Sequence, residues 1–170
     1  RDIITLPDPI LRSKSTPVER VDNELLQLVD DMLETMYAAP GIGLAAIQVA
    51  VPKRLLVVDI SRDEDARTPI VMMNPEILSF GDQPRSHEEG CLSIPDMYAE
   101  LERPATIEVS YIDREEKKQR ITAEGLLSTV IQHEMDHLDG ILFIDHLSRL
   151  KRDRLVKKFM KHKKANETAI

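Results

Sequence analysis

A chain of 170 residues that is 42% hydrophobic can bury one sizeable core but is too short for two ordinary domains, so a single domain over residues 1–170 is expected. Its net charge of −7 argues against general nucleic-acid binding, DNA included, by the surface as a whole. The lone cysteine, Cys91, excludes an intramolecular disulfide, and no apolar run approaches the roughly 20 residues of a membrane span; a soluble protein of a reducing cytoplasm, without membrane contact, is the expectation.

Asp22 is placed to N-cap a helix running to about Ala38, because Leu25, Leu26, Val29, Met32, Leu33 and Met36 recur at helical spacing. Pro40-Gly41 stops it, and its Met and Leu positions read as core packing. Short β-rich runs follow at 54–60, 70–73 and 105–113, where Ile107, Val109 and Tyr111 alternate toward one face; 120–122 can extend that sheet. Between them, 61–68 and 81–89 read as charged loops. A second helix should run from about Gly125 to Gly140, a residue suited to the left-handed position beyond a helix end. It is apolar on most sides and so belongs at the centre. A third helix begins near Ser148. Strands followed by helices, without regular alternation, predict an α+β fold with antiparallel sheets around the central helix and a C-terminal helix.

Residues 149–164 carry nine Lys or Arg against one acid, which leaves the rest of the chain more acidic than the net charge suggests. The plain reading is the solvated face of a terminal helix, with Leu150, Leu155 and Phe159 docking the opposite side.

The segment Gln132-His133-Glu134-Met135-Asp136-His137 is an H-E-x-x-H inside the second helix. Residues four apart lie one turn above each other, so His133 and His137 can present two imidazoles to one metal ion. Glu134 sits about 100° round from His133, where it can reach water at the metal without taking a coordination position. Leu126 and Val130 continue the histidine stripe as an apolar floor. Two ligands do not complete a catalytic site, which uses three protein ligands and leaves a position open. Cys91, within Glu88-Glu89-Gly90-Cys91-Leu92-Ser93, is the candidate third, although a single cysteine is also commonly an inert small hydrophobe. Glu89 and Asp136 are candidates to orient the ligands, or else are solvated. A third segment, Gly41-Ile42-Gly43-Leu44-Ala45-Ala46-Ile47-Gln48, matches G-x-G-x-x-A, yet a helix precedes it and Pro52 follows, contrary to a dinucleotide site. Its small residues running up to Gln48 suggest backbone lying against a ligand.

Taken together, G-I-G-L-A-A-I-Q, E-G-C-L-S and Q-H-E-M-D-H resemble, in order and spacing, the three signature motifs of peptide deformylases, and the basic C-terminal segment resembles the class typical of Gram-negative bacteria. Ile47 stands where such proteins commonly carry threonine. The resemblance implies metal ligands at Cys91, His133 and His137, with Glu134 as general acid and base. It implies an oxyanion hole from Gln48 and the backbone N–H of Leu92. A pocket for the substrate's methionine side chain would be formed by Ile42, Gly43, Glu89, Leu126, Thr129, Val130 and His133. Backbone near Gly43 and Gly90 would pair with the substrate, an N-formyl-methionyl peptide, as an added strand. The implied cofactor is one divalent ion, Fe²⁺ in the cell, with Zn²⁺, Ni²⁺ or Co²⁺ able to take its place. The implied reaction is release of formate from the N-terminus of nascent chains. Because a cationic helix on an otherwise acidic protein calls for an anionic partner, and such substrates emerge from the ribosome, the basic segment is expected to bind the ribosome near its exit tunnel; a monomer is expected. Two other readings remain at this point. A zincin-like peptidase would use a His or Glu third ligand in a larger chain, and a metal-stabilised binding module would close its site with four protein ligands.

Overall fold

The computed structural model describes residues 1–168. Along these residues run helices α1 (Asn23–Ala38), α2 (Gly125–Leu138) and α3 (Arg149–Thr168), and strands β1 (Gly43–Ala45), β2 (Leu55–Val58), β3 (Ile70–Phe80), β4 (Pro84–Cys91), β5 (Ile94–Pro104), β6 (Thr106–Ile112) and β7 (Lys118–Glu124). One sheet has the order β1-β2-β3-β6-β7, and β4-β5 form a separate hairpin; all these strand pairs are antiparallel. The expected α+β architecture is therefore present.

The sequence explains the layering. Strand β2 is buried along its whole length because it alternates between two helices. Leu55 and Val57 face α1, packing with Leu25, Val29, Met32 and Met36. Leu56 and Val58 face the other way, toward Val130, Ile131 and Leu138 of α2. A sheet covered on both faces gives a continuous apolar run instead of an alternating one. The β4-β5 hairpin, α3 and the N-terminal segment close over a third cluster built on Leu11, Ile94, Leu142, Phe143 and Phe159.

Helix ends follow their caps. The Asp22 side chain accepts from Leu25 N–H at 2.9 Å, satisfying a donor that the first turn leaves without a partner. At the end of α2, Gly140 has φ +74°, and a Cβ there would come within 2.3 Å of the Arg12 carbonyl oxygen. Glycine is required there by conformation and by space alike.

Three expectations need correction. Residues 81–89 are not a loop: Pro84–Cys91 is β4, paired with β5, a strand the sequence reading missed altogether. Their charged side chains obscured the alternation, yet Glu89 is buried beside Arg103, so charge here marks an internal ion pair instead of solvent. Strand β3 continues past Met73 to Phe80, and register irregularities between Met73 and Glu76 accommodate Pro75. In α3, Leu150 is 63% exposed, and docking is done by Phe159 with Leu155 and Val156. Nor do all nine cations point outward, because Lys163 Nζ donates to Thr5 Oγ1 and the Leu6 carbonyl. The expected tail at Ala169 and Ile170 lies outside the described residues. No helix among the described residues is long and apolar enough to cross a membrane.

Candidate active site

Helix α2 carries His133, Glu134 and His137 on a face turned toward β1 and β4. The β4-β5 hairpin brings Cys91 to them from its tip. The donor atoms of Cys91, His133 and His137 lie within 4.8 Å of one another, with Cys91 Sγ 3.3 Å from His137 Nε2. Donors sharing one tetrahedral ion, with bonds of about 2.0–2.3 Å, stand roughly 3.5 Å apart. One sulfur and two imidazoles suit a borderline divalent metal.

The surroundings fit such an ion as well. His133 Nδ1 lies 2.9 Å from Glu89 Oε1, which turns its Nε2 toward the cluster. Burial disfavours a charged His133, but Glu134, Cys91 and Glu89 outweigh it and hold its pKa well above the ordinary histidine value. That is the anionic field a cation would meet. His137, wholly buried and facing the charge on His133, is pushed well below its ordinary pKa and stays neutral, as a metal ligand must.

Glu134 is 4% exposed, and burial raises its pKa to about 7, with Glu89 and Asp136 adding to the rise against His133 and Arg103. Its Oε1 has no hydrogen-bond partner among the described residues, and its Oε2 is 4.0 Å from His133 Nε2. Gly43 leaves room for it: a Cβ at that position would lie 2.6 Å from Glu134 Oε2 and 2.9 Å from Val130 Cγ1.

Gln48 belongs to a buried 3-10 turn, Ala46–Val49, that follows β1. Its Oε1 accepts from Ala45 N–H at 2.9 Å, and its Nε2 donates to Ser93 Oγ at 3.0 Å while standing 3.6 Å from Cys91 Sγ. The amide is thus oriented from behind, with its N–H side toward the cluster.

These groups open on a cleft of about 650 Å³. Ile42, Gly43, Gln48, Glu89, Gly90, Cys91, Leu92, Thr129, Val130, His133 and Glu134 line it. Leu126, half-buried, packs against the core cluster beneath α2 to which Val130 also belongs. The cleft wall also includes residues no motif marked: Ile94, Met97 and Tyr98 of β5, and Arg62 from the segment 61–68.

Sequence reasoning also missed Arg103. Its Nε and Nη2 donate to Glu89 Oε2 and Oε1 at 2.6 and 3.0 Å, and its Nη1 donates to Asp136 Oδ2 at 3.0 Å. Burial alone would raise the Glu89 pKa, but the hydrogen bonds from His133 and Arg103 bring it down to about 2. Asp136 therefore meets Arg103 and His146, and reaches the histidine ligands only through this chain of contacts.

The family model described as polypeptide deformylase matches residues 1–153. The chain belongs to that family. It is 59% identical over 165 residues to a peptide deformylase of Agrobacterium fabrum, covering 97% of each chain. It is 55% identical over 170 residues to one from Bartonella tribocorum, covering 99% of this chain and 96% of the relative. Among solved structures, the fold is similar to a peptide deformylase from Legionella pneumophila, with TM-score 0.92, 45% identity and coverage of 98% and 97%. It is also similar to one from Ehrlichia chaffeensis in complex with actinonin, with TM-score 0.88, 41% identity and coverage of 95% and 96%.

Proposed function

We propose that the chain is a metal-dependent hydrolase that removes the N-formyl group from the N-terminal formyl-methionine of nascent polypeptides. One observation supports this above others: a buried carboxyl group, Glu134, with an unpartnered oxygen and a pKa of about 7, stands beside three donors that suit one metal ion. A divalent ion held by Cys91, His133 and His137 would supply Lewis acidity and lower the pKa of water, Fe²⁺ in the cell being our reading and Zn²⁺, Ni²⁺ or Co²⁺ serving in the purified protein.

The chain's own residues do the rest. Glu134, poised near neutrality, takes a proton as water adds to the formyl carbon and returns it to the departing amine. The Gln48 amide and the Leu92 N–H donate to the carbonyl oxygen as negative charge builds there, a contribution commonly of several kcal/mol. Ile42, Thr129 and Val130 shape an apolar pocket for the methionine side chain. The open edge of β1 and the backbone at Gly90 receive the peptide as an added strand. A Cys third ligand disfavours the zincin-like reading, and three donors instead of four among the described residues suit an open catalytic site better than a closed structural one.

The deciding experiment follows formate release from a formyl-Met tripeptide and its acetyl analogue, using anaerobic, metal-replete protein. Rapid release from the first and little hydrolysis of the second are expected, since the extra methyl must fit beside the metal. No formate would overturn the proposal.

We further propose that residues 1–170 act as one catalytic domain and as a monomer, and that α3 docks on the ribosome near the exit tunnel. Helix α3 packs along β5, where His162 Nε2 lies 3.4 Å from Asp96 Oδ2, and Asp96 lines the cleft. A cationic helix beside the cleft mouth would hold the site near an emerging chain. Because Phe159 is buried, truncation would damage the core; reversing Lys157, Lys158 and Lys161, all exposed, is the cleaner variant. It should weaken ribosome co-sedimentation, which itself should fall steeply with salt as phosphate contacts release counterions, and spare tripeptide turnover. Undiminished co-sedimentation at low salt would return α3 to a solvated helix.

A further inference from the structure

The wall of the cleft contains one cation that neither the motifs nor the reaction employs. Arg62 lies outside all three signature segments, is exposed, and lines the cleft on the side of Ile42 and Gly43. Among the described residues its guanidinium makes no hydrogen bond or ion pair, whereas Arg12, Arg54, Arg103, Arg114 and Arg120 are each paired with an acid.

The backbone that carries Arg62 is anchored. Asp59, 2% exposed, accepts from the N–H and hydroxyl of Ser61 at 2.9 and 2.6 Å, from Thr68 N–H at 3.0 Å, and from the Tyr37 hydroxyl at 2.5 Å. These bonds clamp both ends of the segment 61–68 to the end of β2. The Arg67 guanidinium lies 4.0 Å over the Tyr37 ring and adds a second tie. Asp59 N–H in turn donates to the Ile42 carbonyl at 2.9 Å, so the anchor is continuous with the cleft wall. Four donors on one buried carboxylate is a costly arrangement for an incidental surface loop. Its outcome is a positive charge held at the mouth of a cleft in an otherwise acidic body.

We infer that Arg62 is a specificity-determining residue that pairs with an acidic side chain at the second or third residue of the substrate chain. This rests on the deformylase reading above. An extended peptide seated with its first side chain in the pocket presents its next two toward the mouth and its rim. The rim also carries Glu88, Asp96 and His87, so the background favours cationic peptides, and Arg62 is the group that opposes this preference. An exposed ion pair contributes modestly, which sets the expected effect at roughly two- to five-fold in kcat/KM.

The test uses Ni²⁺-loaded full-length protein and formyl-Met tripeptides with Asp, Lys or Ala at position two, and separately at position three. The readout is the ratio of kcat/KM for the Asp and Lys peptides, which cancels any change common to all substrates. At one of the two positions this ratio should fall by about two- to five-fold in Arg62→Ala and further in Arg62→Glu, and Arg62→Lys should restore most of it. The dependence should also shrink in roughly 1 M salt, where the screening length is about 3 Å. A ratio unchanged at both positions in Arg62→Glu would overturn the inference and leave the deformylase reading standing. Failure of wild-type protein to hydrolyse the Ala peptides would overturn the underlying reading instead.

Discussion

Glu134→Ala should retain its metal and lose turnover by about 10²–10⁴-fold, the range typical of a removed general acid-base group. The residue touches no other polar group through Oε1, so its removal leaves no hydrogen-bond network broken. It deletes only a proton acceptor whose burial sets it near neutral pH, where a base is strong enough to act and weak enough to let go. Cys91→Ala and His137→Ala provide the contrast, because each leaves two donors and should lose metal together with activity. Metal content and formate release measured on the same preparations separate the two behaviours. Turnover of Glu134→Ala within tenfold of wild type would remove Glu134 from the mechanism.

Arg103→Met should be the most destabilising single change near the site, by about 3–5 kcal/mol, because it leaves the buried Glu89 carboxylate without its cation. Through Glu89 it also loosens the hold on His133 Nδ1, and support of that kind typically accounts for about 10–100-fold in metal affinity. The same pair governs acid stability. Glu89 titrates at about 2 in the fold against an ordinary value of 4.5, so its stabilisation is complete above about 4.5 and is lost as the pH falls toward about 2. The total involved is about 3 kcal/mol. Urea unfolding of metal-free protein between roughly pH 2 and 5 should therefore show a shallower pH slope in Arg103→Met than in wild type. Parallel slopes would mean that Arg103 does not hold Glu89 ionised.

The site was more legible than the scaffold that holds it. His133, Glu134 and His137 announce themselves because one helical turn fixes their relation locally, and Gln48 and Cys91 stood out as chemically unusual residues among small ones. Arg103 carried no such signal. Its meaning depends on the pairing of β4 with β5, which sets Arg85 opposite Arg103 and Glu89 opposite Ala99, and pairing of that kind is not local. The same limit concealed β4 and β5 themselves. Their charged side chains include the buried Glu89–Arg103 pair, so composition suggested solvent where the fold has an interior. Strand β2 was legible for the opposite reason, since burial on both faces leaves only apolar residues.

The open margin of β1 has a cost as well as a use. Unpaired backbone at a sheet edge is the route by which folded proteins join into aggregates, and sequences commonly defend such edges with charge or proline. Here the defence is brevity. Pro40 lies before β1, the 3-10 turn that holds Gln48 follows directly after Ala45, and only three residues present their backbone. For the strand addition proposed above, that length would suffice for the first residues of an incoming chain, while it is too little to template a sheet with another copy. The same brevity would limit the backbone hydrogen bonds a processed chain must give up on leaving.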